Sequence, residues 1–264
     1  MEKFRVNKSA DRALDVLVLF AQSNVPLTLN EICMSLNMPK SSGFELIQTM
    51  LAKRFIELDD PRVKTYRLGL AAFETGMAYL SNLEITHLAR PVLQELNRQT
   101  GSTAFLGMED KGNVVYLDKA ENHSVMRPTA KLGSRRNLHT TGLGKALLAA
   151  MPLEKVRYMF SDGEIAGKTP YSKVTLPDIL EDIRQTRLRG YSIDDREDNL
   201  EMYCIGSAIF DQSNQAAAAV SVASVSSAMT PEREQAIARL VTEAALKISR
   251  QLGYVGERLY INLE

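Results

Sequence analysis

The stretch Thr28-Leu29-Asn30-Glu31-Ile32-Cys33-Met34-Ser35-Leu36-Asn37-Met38-Pro39-Lys40-Ser41-Ser42-Gly43 decides how the first part of this chain folds. Thr28 is a good helix N-cap, and Leu29, Ile32, Cys33 and Leu36 recur at the spacing of one buried helical stripe. Asn37 stands where the chain must leave that helix through a left-handed residue, a conformation asparagine tolerates best after glycine. Met38 and Pro39 lead to a third helix over about 40–53, with Phe44, Ile47, Met50 and Leu51 expected to turn inward. Upstream, Ser9 is expected to cap a helix with Leu14, Leu17, Val18 and Ala21 on its apolar face, and Pro26 to stop it. Two short helices joined by a tight turn and braced by another form the trihelical DNA-binding unit.

Such a unit needs a helix whose N-terminal half carries small polar residues, and Lys40-Ser41-Ser42-Gly43 meets that demand. Free N–H groups at a helix start attract phosphate, and Lys40 adds charge. Gln48 and Glu45 follow on the same helix as candidate DNA contacts. Phe55 to Leu58 and Thr65 to Leu68 then read as a β-hairpin around the turn Asp59-Asp60-Pro61-Arg62. Placed after the third helix it is a wing, and Arg62 and Lys64 at its tip are in position to meet a phosphate backbone. From Lys3 to Arg67 ten basic residues face seven acidic ones.

The chain of 264 residues is long enough for one large domain or two smaller ones. Its 32 basic residues equal its 32 acidic ones, so positive charge for a nucleic acid must be local. No apolar run approaches a membrane span, and the start Met1-Glu2-Lys3-Phe4-Arg5 lacks the features of a signal peptide. The two cysteines, Cys33 and Cys204, lie far apart in apolar stretches, as expected of free thiols in a reducing compartment. The expected location is the cytoplasm, with no membrane partner.

Beyond the wing, Leu70 to Leu83 reads as a linker helix with an apolar face through Phe73, Met77 and Leu80. A helix over about 86–100 ends at Gly101. Strands are expected at 103–109, 113–119, 204–210 and 216–225, and helices at 143–151 and 177–189. A last helix is capped by Thr230 and runs to Gly253. This mixture predicts an α+β domain, a mainly antiparallel sheet with packed helices. The expected division is a DNA-binding domain over 1–68 and an effector-binding domain over 69–264 that opens with the linker helix 70–83.

Three blocks carry a resemblance. Leu138-His139-Thr140-Thr141-Gly142-Leu143-Gly144-Lys145-Ala146-Leu147-Leu148 is similar to an "H-x-[TS]-A-x-G-K-A-L-L" motif. Arg189-Gly190-Tyr191-Ser192-Ile193-Asp194-Asp195 with Cys204 to Asp211 resembles "R-G-Y-x-x-D-x-E-E…C-[IV]-A-x-P-[IV]-F-D". Ser9 to Leu14 and Lys40-Ser41-Ser42 match as well. Over about residues 8–255 the chain resembles the IclR family of bacterial transcriptional regulators. The resemblance implies a winged helix-turn-helix, a linker helix and a GAF-like effector domain. It also implies a dimer, or dimer of dimers, on a double-stranded DNA operator, acting as repressor or activator under a small-molecule effector such as a carboxylate, sugar acid or aromatic acid. The effector positions it implies here are Gly142, Leu143, Asp194, Cys204 and Ser221, with no cofactor and no metal.

The chain departs from the family pattern at several positions. Ala223 replaces a second serine, which favours a larger or more apolar effector. Glu201 stands for a glycine, Arg196 for a carboxylate and Ala208 for a proline. Glu45 replaces an arginine, and could accept from a cytosine amino group instead. Plainer readings stand beside the functional ones: Cys204 as a packing residue bordering the pocket, His139 as a loop-orienting residue, Ser221 as a small strand residue. The rival from another class is an enzyme using Cys204, His139 and Asp194 as a nucleophilic triad. A cysteine in an apolar strand should have a raised pKa and be unreactive, which argues against it. A zinc site lacks any CxxC or HxxxH pair, and His87 and His123 are dispersed.

Overall fold

The computed structural model describes residues 6–23, 25–81, 83–121, 130–161 and 164–260; expectations placed on residues 1–5, on His123 and on the Leu80 side chain lie outside them. The chain divides into two compact units, residues 1–82 and 83–264. The first contains α1 (Lys8–Gln22), β1 (Leu27–Thr28), α2 (Leu29–Ser35), α3 (Lys40–Ala52), β2 (Ile56–Asp60), β3 (Thr65–Leu68) and α4 (Leu70–Ser81). Thr28 caps α2 as expected, in a reciprocal box. Its Oγ1 accepts from Glu31 N at 3.3 Å, and Glu31 Oε2 accepts from Thr28 N at 2.7 Å. Asn37 has φ +46°, the left-handed exit expected from the sequence. Val16, Phe20, Ile32, Cys33, Met38, Ile47, Met50, Ile56 and Tyr66 form one core. Gly43 is part of that packing rather than of an exposed polar start. A Cβ there would lie 2.3 Å from Cys33 Sγ, so its lack of a side chain sets how closely α3 crosses α2.

Several details differ from the sequence expectation. Asn7, not Ser9, caps α1, accepting from Ser9 N and Ala10 N. Leu14 and Val18 are exposed at 62% and 54%, while Val16 and Phe20 are buried. The helix carries apolar residues on two sides, and periodicity alone does not say which side meets the core. Phe44 is likewise outward, 53% exposed. In the wing, β2 continues to Asp60 through a bulge at Leu58/Asp60, so the turn moves on and Lys64 takes φ +54°. The strand β1 pairs with β3, giving the order β1-β3-β2. The helix α4 falls within the first compact unit. Its start is tied to that unit by Ala71 N donating to Arg54 O at 3.1 Å.

The second unit holds α5 (Glu84–Thr100), β4 (Thr103–Asp110), β5 (Asn113–Ala120), β6 (Arg135–Asn137), α6 (Gly142–Ala149), α7 (Leu153–Met159), α8 (Leu176–Arg189), β7 (Ser192–Asp195), β8 (Met202–Phe210), β9 (Ala216–Val225) and α9 (Pro231–Gln251). It is an α+β unit, a six-stranded antiparallel sheet in the order β6-β5-β4-β9-β8-β7 with helices packed on it. Gly101 and Gly190, at φ +65° and +86°, end α5 and α8 as left-handed caps. The sequence reading left β6, α7 and β7 unassigned. Each has seven residues or fewer, too few for a periodic pattern to stand out.

Candidate functional site

Strand register in the second unit builds a cavity. Asp194 lies opposite Cys204, and Cys204 opposite Ala223; one row along, Ser192 pairs with Gly206, Gly206 with Ser221, and Ser221 with Phe105. Residues two apart on a strand share a face, so both rows look to the same side of the sheet. The start of α6 rests directly on that side. Ser192 Oγ donates to Gly142 O at 2.6 Å, and a Cβ on Gly206 would lie 2.4 Å from the same oxygen. Gly107 does the same work under Leu143, whose Cδ1 would be 2.9 Å from an added Cβ. Two glycines thus let a helix N-terminus settle onto the backbone of the sheet.

Between that helix start and the sheet is a small cavity of about 70 Å³. The five sequence-predicted effector residues, Gly142, Leu143, Asp194, Cys204 and Ser221, all line it. Thr141 caps α6 by accepting from Gly144 N at 3.1 Å; the N–H groups of Gly142 and Leu143 ahead of it have no intrahelical acceptor, and the positive end of the helix dipole lies at the cavity. Sequence reasoning missed Tyr116, Arg136, Asp198 and Met202, which also line it. Arg136 is the one cation among the described lining residues, and its Nη1 stands 3.7 Å from Asp198 Oδ2. The basic pair Arg135-Arg136 just ahead of the His139 block was the available signal. Tyr116 is buried, which drives its pKa upward and keeps its hydroxyl a proton donor.

Asp194 is 2% exposed. Its Oδ1 accepts from Glu197 N at 2.8 Å and from Asp198 N at 3.4 Å. Burial pushes its pKa up to about 7, against the opposing pull of the Glu197 N–H and the Lys145 ammonium. The Cys204 thiol is pushed upward too, first by burial and then by the Asp194 carboxylate, so it is a thiol and not a nucleophilic thiolate. His139 is elsewhere: its Nε2 lies 3.1 Å from Ala166 O, and it lines a separate surface depression with Leu138 and Phe160. The structure therefore does not bring His139 to the cavity with Cys204 and Asp194.

The Asp194 shift has a consequence for stability. Below about pH 4 folded and unfolded chains are both protonated at this carboxyl, whose ordinary pKa is 3.8. Between pH 4 and 7 the unfolded chain loses the proton and the folded one keeps it, so stability falls as pH rises and then levels off above 7. Asp194→Asn keeps an acceptor for Glu197 N and removes the penalty. Relative to the parent it should gain stability progressively from pH 4 to 7, by a few kcal/mol at most. Urea unfolding across pH 4–8 checks this; parallel pH profiles would exclude it.

In the first unit, Lys40, Ser41, Glu45, Gln48, Arg62 and Lys64 are exposed and Ser42 is half-buried. Lys40 and Ser41 form the first turn of α3, whose cap Pro39 makes no side-chain hydrogen bond to the helix start. Asp60 Oδ1 accepts from Arg62 N at 2.7 Å and fixes the wing tip. Among the described residues no three His, Cys, Asp or Glu side chains gather as a metal site, and no helix is long and apolar enough to cross a membrane.

Two family models match the chain: residues 9–60 match the IclR helix-turn-helix domain and residues 77–250 the bacterial transcriptional regulator IclR C-terminal domain. The chain is 36% identical over 243 residues to the HTH-type transcriptional regulator BhcR of Paracoccus denitrificans, covering 92% of this chain and 86% of that one. It is 30% identical over 246 residues to the HTH-type transcriptional repressor AllR of Escherichia coli, covering 93% and 90%. The crystal structure of the Thermotoga maritima IclR superposes with a TM-score of 0.78 at 27% identity, over 94% of this chain and 99% of the other.

Proposed function

This chain belongs to the IclR family of bacterial transcriptional regulators, and from that premise we propose that the cavity under α6 receives the carboxylate of a small acid. The protein is a DNA-binding regulator of transcription whose activity is modulated by an effector. One observation carries the effector reading: Gly142, Leu143, Asp194, Cys204 and Ser221 converge on a single cavity at a helix N-terminus. The α6 N–H groups and Ser221 Oγ take the ligand carboxylate, and Arg136 adds a cation beside it. Asp194, close to half-protonated near neutrality, donates to a ligand oxygen when it holds its proton. Ala223, Met202 and Phe105 offer apolar surface for a chain or ring.

The division of labour in this proposal is a DNA-reading part through the wing and an effector-binding part beyond it, with α4 carrying the coupling as the connecting segment. The protein acts as a dimer or dimer of dimers in the cytoplasm, and the effector changes the spacing of two reading heads on the operator. Catalysis is not part of the reading: the raised Cys204 pKa and the remote His139 support a binding site without a nucleophile.

A thermal-shift screen against small carboxylates, sugar acids and aromatic acids tests the proposal. An effector at a hundred times its Kd should add about 2.7 kcal/mol of stability. Asp194→Ala or Ser221→Ala should abolish the shift. Arg136→Gln should weaken binding about tenfold, the loss of one charge-assisted hydrogen bond. A hit that binds all three variants as well as the parent would place the effector elsewhere.

A further inference from the structure

Phe44 lies on the solvent side of α3, although helical periodicity assigns it to the core. Its side chain is 53% exposed. It stands one position before Glu45 and one turn before Gln48, on the face that also presents Lys40. It lines a groove between α3 and the wing together with Gln48, Leu58, Pro61, Val63 and Lys64. Leu58 and Val63 are themselves 42% and 63% exposed. An exposed aromatic ring on a helix calls for an apolar partner, and the neighbours name the kind. Leu14 and Val18 on α1 are as exposed but do not line this groove. Lys40 stands one turn before Phe44 on α3 and Lys64 lines the same groove, and both suit phosphates, while the Gln48 amide suits an adenine edge. Glu45, the next residue along α3, suits the cytosine amino group. Of the four bases only thymine presents an apolar group, its 5-methyl, in the major groove.

We propose that Phe44 is a specificity-determining residue that reads a thymine in each operator half-site, its ring packed on the 5-methyl group. The proposal rests on the DNA-binding role of the first unit. It assigns this chain a base preference at one position of the half-site, next to the positions read by Glu45 and Gln48.

The test uses the full-length protein. An operator is first enriched from random duplex DNA, and each thymine is then replaced singly by deoxyuridine, which pairs identically and lacks only the methyl group. Within each half-site one of these single substitutions should weaken binding about fourfold, equivalent to the ~0.8 kcal/mol of one buried methyl-sized group. In Phe44→Ala the thymine and deoxyuridine operators should bind equally. Phe44→Leu, which keeps an apolar side chain, should retain part of the preference, and unchanged melting temperatures show that both variants fold. Equal binding of both operators by the parent, or a penalty that survives in Phe44→Ala, overturns the thymine contact and leaves the regulator reading intact. Enrichment of no sequence at all, or no binding to any duplex, overturns both.

Discussion

Lys145→Met is expected to lower the stability of the effector unit by about 3–5 kcal/mol, the usual cost of removing one partner from a buried ion pair. Lys145 is 2% exposed although it carries a charge. Its Nζ lies against Glu197 Oε1, donates to Ile193 O, and stands 3.0 Å from Asp182 Oδ2. Glu197 is 3% exposed and Asp182 13%. Without the ammonium their remaining cation is Lys173, 2.9 Å from Glu197 Oε1 but 3.9 Å from Asp182 Oδ1. Methionine fills the aliphatic volume of lysine, so the loss reports the charge and not a cavity. Across a unit of this size, a melting-temperature fall of roughly ten degrees corresponds. Lys145→Met with Glu197→Gln should recover part of the loss, because the variant then buries one unpaired carboxylate fewer. Equilibrium urea unfolding of the two variants decides it. A single variant within 1 kcal/mol of the parent would show that water or Lys173 already neutralises the pair.

Gly206→Ala is the second large effect expected. The new methyl would lie 2.4 Å from Gly142 O, 2.7 Å from Gly142 C and 2.9 Å from Ser192 Oγ. The first two are backbone atoms, which cannot rotate aside, so α6 must lift away from β8. Overpacking of a rigid contact costs about 1–3 kcal/mol and occasionally more. The functional loss should exceed the stability loss, since the same displacement moves the Gly142 and Leu143 N–H groups from the cavity and breaks the Ser192 Oγ to Gly142 O bond. Titration with an effector found by thermal shift should show binding reduced by two orders of magnitude or more. An alanine variant that binds as tightly as the parent would mean that α6 can shift without cost, and that its N-terminus is not the anion site.

Helix caps and cavity residues were more legible in the sequence than the sides its helices turn to the core. Thr28, Asn37 and the αL glycines at 101 and 190 are local signals, each requiring only its own few residues, and each appears where expected. The cavity residues were legible through the motif blocks, although His139 belongs to the same block and faces another way. Arg136 was not found, because it reaches the cavity from β6, a three-residue strand whose place depends on pairing with β5. The sides taken by Val16 and Leu14, or by Ile47 and Phe44, depend on which face of each helix meets the others. Periodicity supplies a stripe but not the direction it points, and where a helix is apolar on two sides tertiary packing chooses.

The outermost strands of the six-stranded sheet have a bearing on handling the protein at high concentration. β6 is three residues long and carries Arg135 and Arg136; β7 is four long and carries the half-exposed Asp195. Each offers a stray strand few backbone groups to pair with, and a charged side chain at or next to most of them. Short, charged borders of this kind discourage sheets from growing sideways into fibrils. A concentrated stock that does cloud should therefore do so through exposed apolar helix residues such as Leu14, Val18 and Phe44, and not through cross-β stacking.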